Sequence, residues 1–243
     1  MKAFYEQDLA YIHDVGYGEH ALKSAAGILK ILNNNNIPDG LIVDLGCGGG
    51  LSTLEFTKAG YRVLGIDISE TMVALARNRV PSAEFQVASL FKADIPTCRA
   101  VTAIGECLNY LFDPDNNDEL LFQLFERIYQ ALEPGGVFVF DIAEPGQVDN
   151  SNSQQFTEGH DWFALVEKEE DFQQSTLKRR IITFRKVDDH YRRSDEVHHV
   201  RLYRSTDMAH KLRKVGFKVE TMRNYDQYQL PKAHAAFVAR KPA

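Results

Sequence analysis

The chain has 243 residues, 44% hydrophobic and 26% charged, which is the length of one large domain or two small ones and the composition of an ordinary globular protein. Collagen-like, coiled-coil and wholly disordered chains are excluded. Lys+Arg 28 against Asp+Glu 34 leaves a net charge of −6, the wrong sign for a protein held by nucleic-acid phosphates or anionic lipid.

The opening segment MKAFYEQDLAYIHD lacks the apolar core of a secretory leader, and no apolar run approaches the roughly 18 residues of a membrane span. Cys47, Cys98 and Cys107 form no CxxC pair and read as reduced thiols. These features predict a cytoplasmic protein with a small-molecule partner, away from nucleic acid and membrane.

In chain order, Ala21, Leu22, Ala25, Ala26, Leu29 and Leu32 recur at helical spacing, and the asparagine run 33 to 36 stops that helix. LIVDL (41 to 45) then reads as a strand, followed by a glycine cluster and a helix closed by Gly60. Tyr61 to Asp67 is a second strand, and Ser69 stands where an N-cap would open the helix carrying Met72, Leu75 and Ala76. Strands at 83 to 87 and 99 to 104 follow, then a helix from about Asn117, ended by Pro134-Gly135-Gly136, and the strand VFVFDI. A last helix around Met208, Leu212 and Val215 and two strands, 217 to 225 and 233 to 240, close the chain.

Apolar strands alternating with amphipathic helices predict an α/β fold whose parallel sheet is covered on both faces. Between 149 and 204 the rhythm breaks into a polar stretch, SNSQQ, and three strand-like runs, 162 to 170, 177 to 186 and 197 to 204. Residues 158 to 171 hold six acids and one base, whereas 178 to 204 hold nine bases and four acids. That division suits cross-strand pairing on a solvated face, or, on a sharper reading, a cationic lid over a carboxylate-bearing substrate. The expected domains are an N-terminal helical cap (1–36), a Rossmann-like unit (37–148 with 205–243) and an antiparallel β insertion (149–204) serving as lid.

Asp44-Leu45-Gly46-Cys47-Gly48-Gly49-Gly50 follows the first strand and opens a helix. Glycines there let an adenosine cofactor approach bare backbone. Asp67, 21 residues past Gly46, ends the second strand, where a carboxylate can accept both ribose hydroxyl protons. The spacing is GxGxG rather than the dinucleotide GxGxxG, and no Gly-Lys-Ser/Thr of a phosphate loop follows.

With IVDLGCGGG, GIDIS and LEPGGVFVFD in this order, the chain resembles the class I S-adenosylmethionine-dependent methyltransferases over residues 40 to 145, extended by LRKVGF and the last two strands. The resemblance implies a doubly wound seven-stranded sheet, order 3-2-1-4-5-7-6 with the last strand antiparallel, and S-adenosylmethionine as cofactor with S-adenosylhomocysteine as product. It further implies that Asp44, Gly46, Cys47, Gly48 and Gly50 line the methionine and ribose, that Asp67 binds the ribose, and that Ile68 and Met72 contact adenine. Ala88, Ser89 and Leu90 would also reach the adenine, with a hydroxyl at Ser89 where an acid is frequent. Gly105 and Glu106 would lie beneath the sulfonium and amine, and a segment with His13 and Tyr17 would close over the cofactor.

Methyl transfer from a sulfonium needs alignment and exclusion of water more than a base. Candidate catalytic residues are Glu106, Asn109, Tyr110 and His13, able to orient the cofactor, bond the acceptor or take its proton. His160 and Trp162 could wall an acceptor pocket. Asp188, Asp189, His190, His198 and His199 make a poor chelate, since neighbours on a strand point to opposite faces, and no metal is expected. A methyltransferase acting on a small molecule is the reading these features favour. A cofactor-binding regulatory module without turnover and a nucleotide-dependent oxidoreductase are the alternatives.

Overall fold

The computed structural model describes residues 4 to 149 and 152 to 243. Two helices lead, α1 (Gln7–Tyr17) and α2 (Glu19–Asn34), followed by β1 (Leu41–Leu45), α3 (Leu51–Lys58), β2 (Arg62–Asp67), α4 (Glu70–Arg79), β3 (Glu84–Val87) and β4 (Cys98–Ala103). Next come α5 (Asp118–Ala131) and β5 (Leu132–Ala143), then four long strands, β6 (Asn152–Glu158), β7 (Trp162–Asp171), β8 (Thr176–Val187) and β9 (His190–Arg201). The chain ends with α6 (Ser205–Val215), β10 (Lys218–Met222), the short pair β11 (Asn224–Tyr225) and β12 (Tyr228–Gln229), and β13 (His234–Arg240).

The main sheet has seven strands in the order β10-β13-β5-β4-β1-β2-β3. Strands β3, β2, β1, β4 and β5 are parallel neighbours, and β13 enters antiparallel between β5 and β10. This is the expected 3-2-1-4-5-7-6 order. On one face, Leu121, Leu124, Phe125 and Ile128 of α5 pack with Phe138 and Phe140, and Phe140 stacks on Phe237 with centroids 4.7 Å apart. On the other, Ala25, Ile28 and Leu32 of α2 meet Ile42, Val63 and Val139. Two helix starts are capped by side chains: Ser69 accepts from the Met72 N–H at 3.3 Å and Asn117 from the Leu120 N–H at 2.9 Å.

The local structure departs from expectation in three places. Residues 7 to 17 form a full helix, because Leu9, Ala10 and Ile12 bury one face although Gly16 weakens the pattern. The helix α5 stops at Ala131, and Pro134-Gly135-Gly136 belong to β5, whose pairing with β4 shifts register there. The polar segment from Asn152 is a fourth strand of the insertion, solvated on a sheet edge and so without an apolar signature.

The insertion is a separate antiparallel sheet, β6-β7-β8-β9, and α1 joins it to the body. Ile12 packs with Trp162 and Ala164, Arg185 lies 3.6 Å from the Tyr11 ring centroid, and Asp8 pairs with Arg185 and Arg192. From the same helix, Asp14 receives Arg79 of α4 at 2.5 Å. No helix among the described residues is long and apolar enough to cross a membrane.

Gly27 of α2 rests against Tyr225, where a Cβ would stand 2.7 Å from that residue's backbone. Gly27→Val is therefore expected to destabilise the fold by about 1–3 kcal/mol through overpacking. Urea denaturation checks this, and an unchanged midpoint would contradict the packing.

Candidate functional site

The carboxyl ends of β1, β2 and β4 open into a cleft roofed by α1 and the start of α2. This is the position ligands take in open α/β sheets, where the strand order reverses. Its floor is the glycine turn: Gly46 (φ +68°), Gly48 (φ +52°) and Gly50 (φ +79°) all have left-handed backbone. A Cβ on Gly46 would strike the Cys107 sulfur at 2.4 Å, whereas one on Gly48 would meet nothing within 4 Å. The open side of Gly48 faces the cleft it lines.

Asp67 fixes this turn. Its Oδ2 accepts from the Gly48 N–H at 2.9 Å and its Oδ1 from the Ser69 N–H at 2.8 Å, joining the turn to the start of α4. Burial raises its pKa while these backbone donors oppose the rise. Ile68, Met72, Ala88 and Leu90 line the same end, and Gly105, Tyr110, His13 and Tyr17 the other.

Six of the expected site residues lie outside the cleft lining. Asp44 is buried behind the turn, accepting from Thr102 at 2.7 Å and Thr53 at 2.9 Å, and burial raises its pKa to about 6. Cys47 packs with Val73, Ala76 and Phe85, its thiol pushed well up by burial. Gly50 caps α3, where a Cβ would meet Ala76 at 3.0 Å.

Ser89 donates instead to Asp113 at 2.7 Å, and Asp113 lines the cleft. An acid from a different loop thus stands beside Ser89, and no local pattern announces it.

Glu106 and Asn109 also differ from expectation. Glu106 turns under the inserted sheet to meet Arg179 at 2.8 Å, with His234 at 3.6 Å. Although burial opposes ionisation, the Arg179 guanidinium and His234 hold this carboxyl well below the usual range, so it is a permanent anion and a poor base. Asn109 is fully buried and donates to the carbonyls of Ala143 (2.9 Å) and Arg201 (2.6 Å), which makes it a staple between β5 and β9 rather than an acceptor ligand. Trp162 packs under Gly16, and with His160 it borders a shallow depression on the far side of α1.

Several cleft residues had no motif to reveal them. Tyr5, His20 and Phe112 line the cleft with His13, Tyr17 and Tyr110. His20 Nδ1 bonds the Tyr228 hydroxyl at 3.0 Å, while its Nε2 stands 3.4 Å from Asp141 without hydrogen-bonding geometry. Asp141, at the end of β5, accepts from the backbone N–H groups of Gly105 and Glu106 and from Tyr225. An acid closing the VFVFDI strand was the available signal.

His13 is an exposed residue at the cleft edge whose ring lies beside Tyr5, with centroids 5.2 Å apart, and partial desolvation there lowers its pKa to about 4. It is a neutral imidazole at pH 7.

Residues 42–136 match the family model for a methyltransferase domain. The trans-aconitate 2-methyltransferase of Paracidovorax citrulli (strain AAC00-1) is 37% identical over 113 residues, 44% of this chain and 40% of that enzyme. A Streptomyces venezuelae dTDP-3-amino-3,4,6-trideoxy-alpha-D-glucopyranose N,N-dimethyltransferase is 28% identical over 146 residues, 56% of this chain and 58% of that protein. The solved S-adenosylmethionine-dependent methyltransferase of Clostridium acetobutylicum ATCC 824 superposes with a TM-score of 0.81 at 21% identity, covering 97% of this chain and 98% of its own. Residues 42–136 are similar to a methyltransferase domain, and the chain has the fold and sheet order of the solved S-adenosylmethionine-dependent methyltransferase. The chain spans about half the length, or less, of the two curated relatives named.

Two outcomes follow from this geometry. Asn109→Ala strands the Ala143 and Arg201 carbonyls and should cost about 1–3 kcal/mol in chemical denaturation, where no loss would contradict the staple. For His13, a folded pKa below the unfolded value near 6.5 means that the unfolded chain binds more protons between pH 6.5 and about 4. The stability contribution is present above pH 6.5 and lost as pH falls through that window. His13→Gln should therefore lose less stability than wild type between pH 6.5 and 4, and parallel profiles would refute the shift.

Proposed function

We propose that this methyltransferase acts on a small molecule whose reactive part sits between α1 and the inserted sheet, against Tyr5, His13, Tyr110 and Phe112. The observation carrying this reading is the cleft itself: a bare glycine turn at one end, an uncharged aromatic wall at the other, and unsatisfied polar atoms between them.

The residues present fit the cofactor. Gly48 leaves open space where a side chain would stand, and Asp67 and Asp113 give the cleft an acidic character suited to a ligand that is a net monocation. The Tyr17 hydroxyl and His20 Nε2 are buried, line the cleft and have no hydrogen-bond partner among the described residues. Buried polar atoms left this way point to a ligand that satisfies them. In this reading Asp67 holds the ribose hydroxyls, Ile68, Met72, Ala88 and Leu90 flank the adenine, Asp113 meets its amine edge, and Tyr17 and His20 hold the amino-acid end.

The cofactor supplies a methyl group already activated on a positively charged sulfur. The chain's work is to present the acceptor lone pair in line behind that carbon and to keep water away. Helix α1, pinned to Arg79 by Asp14 and to the inserted sheet by Asp8, closes the roof. Tyr5 and Tyr110, joined through their hydroxyls at 3.2 Å, shape the acceptor side, and Arg179 donates to the Tyr110 hydroxyl at 3.2 Å. Neutral His13 offers a ring nitrogen that can hydrogen-bond an acceptor proton as it is released.

Arg179 pairs with Glu106, while Arg185 and Arg192 share the one carboxylate of Asp8. With the aromatic wall beside these pairs, the acceptor is read by shape and aromatic contact rather than by a cationic lid over a carboxylate. Methyl-labelled cofactor incubated with a panel of aromatic, amino-sugar and tricarboxylate acceptors tests this. Label should appear on the first two groups, and labelling confined to tricarboxylates would overturn it.

Asp67→Asn should weaken S-adenosylhomocysteine binding by about 1–3 kcal/mol in calorimetry, through the lost charge-assisted bonds and a slackened turn. Unchanged affinity would contradict its role.

A further inference from the structure

We propose that Glu196 of β9, backed by His198, is a positioning residue of the site: it holds Tyr5 in the backbone form that sets the Tyr5 ring into the cleft wall. The inference rests on the reading above, in which Tyr5 and Tyr110 shape the acceptor side of a cofactor cleft.

The segment leading into α1 is anchored from another element. Tyr5 has a left-handed backbone (φ +52°), a form that a bulky residue adopts only under restraint. This form turns the Tyr5 and Glu6 N–H groups to one side, where both donate to the Glu196 carboxylate, Tyr5 to Oε2 at 3.0 Å and Glu6 to Oε1 at 3.1 Å. Consecutive N–H groups gathered by a turn make a concavity for an anion. Glu6, which precedes the helix, makes no side-chain bond to its first turn.

Burying Glu196 is unfavourable by itself. It is 4% exposed, and among the described residues no Lys or Arg pairs with it. Its other partner is His198, whose Nε2 donates to Oε2 at 2.9 Å. His198 is fully buried, with the rings of Phe4, Tyr5, Tyr110 and Phe112 around it. A carboxylate taken from water without a cation needs hydrogen bonds to offset its desolvation. The side-chain bonds that Glu196 accepts from outside its own strand come from the two N–H groups at Tyr5 and Glu6.

The same face of the inserted sheet holds the second tyrosine. His198 and Arg179 are cross-strand partners, and Arg179 donates to the Tyr110 hydroxyl at 3.2 Å. The Tyr5 and Tyr110 hydroxyls meet at 3.2 Å, and both residues line the cleft. Phe4 stacks on Phe112, a third lining residue, with centroids 4.7 Å apart. The sheet thus grips one tyrosine by its hydroxyl and the other by its backbone. Asp8 and Asp14 pin α1 independently, so losing the Glu196 contact frees the stretch before the helix and leaves the helix in place. Tyr5 then relaxes to negative φ, and because Cβ follows the backbone its ring leaves the wall.

Two measurements on the full chain test this. In NMR amide exchange without ligand, the Tyr5 and Glu6 N–H groups should exchange slowly in wild type and at the open-chain rate in Glu196→Gln, whose single side-chain oxygen cannot serve both. Amides of β1 should be unchanged. In stopped-flow displacement of S-adenosylhomocysteine, Tyr5→Ala and Glu196→Gln should each speed release by roughly tenfold, and the double variant should be no faster than Tyr5→Ala alone. Glu167→Gln, an acid on the outward side of the same sheet, should release at the wild-type rate. A Glu196 that merely stabilises the fold would lower the melting temperature and leave release from the folded protein unchanged. That result, fast Tyr5 exchange in wild type, protection kept in Glu196→Gln, or additive release rates would overturn the proposal. A wild type that binds no S-adenosylhomocysteine would remove the cofactor reading and the positioning role with it, while amide exchange would still show whether Glu196 holds Tyr5.

Discussion

The two hydrogen bonds that the Asp67 carboxylate accepts, from Gly48 and from Ser69, are the constraint on which the site depends. Three left-handed glycines could adopt many conformations, and an unrestrained turn of this kind would lose its shape to chain entropy. One carboxylate at the end of the neighbouring strand selects a single form. The same group starts α4, whose Arg79 then reaches the Gly49 carbonyl and Asp14 on α1. Turn, helix and roof are thus linked through a few charged contacts, and the cleft between them keeps its width.

A second node, Asp141, performs the corresponding task for the loop after β4. It accepts from the backbone of Gly105 and Glu106, which directs the loop after β4, and it is approached by Tyr225 and His20. Glu106 takes a left-handed backbone there (φ +55°) and sends its side chain under the inserted sheet to Arg179. That ion pair ties the insertion to the main sheet from below as α1 does from above. Acids at the ends of β2 and β5 therefore position the walls, while the chemistry is left to alignment.

Much of this was legible in the sequence because it rests on local pattern. The order of apolar strands and amphipathic helices gives the sheet, and the spacing from Gly46 to Asp67 places the turn beside its acid. What was not legible depends on contacts between distant segments. Ser89 looked like a weakened adenine contact, yet its hydroxyl is bonded to Asp113, which another loop brings into the cleft lining. Asn109 and Glu106 looked like catalytic polar residues because the sequence cannot show that Asn109 is bonded to the Ala143 and Arg201 carbonyls or that one Glu106 oxygen is paired with Arg179. The strand from Asn152 was silent because a solvated edge needs no apolar residues, and Tyr5 and His20 were silent because aromatic side chains carry no spacing rule.

The most direct test of the account is a crystal structure of the protein with S-adenosylhomocysteine. The account predicts the ribose hydroxyls on Asp67, the adenine between Met72 and Leu90 with its amine toward Asp113, and the amino-acid end on Tyr17 and His20. Density for the nucleoside elsewhere, or a ribose that makes no contact with Asp67, would contradict it.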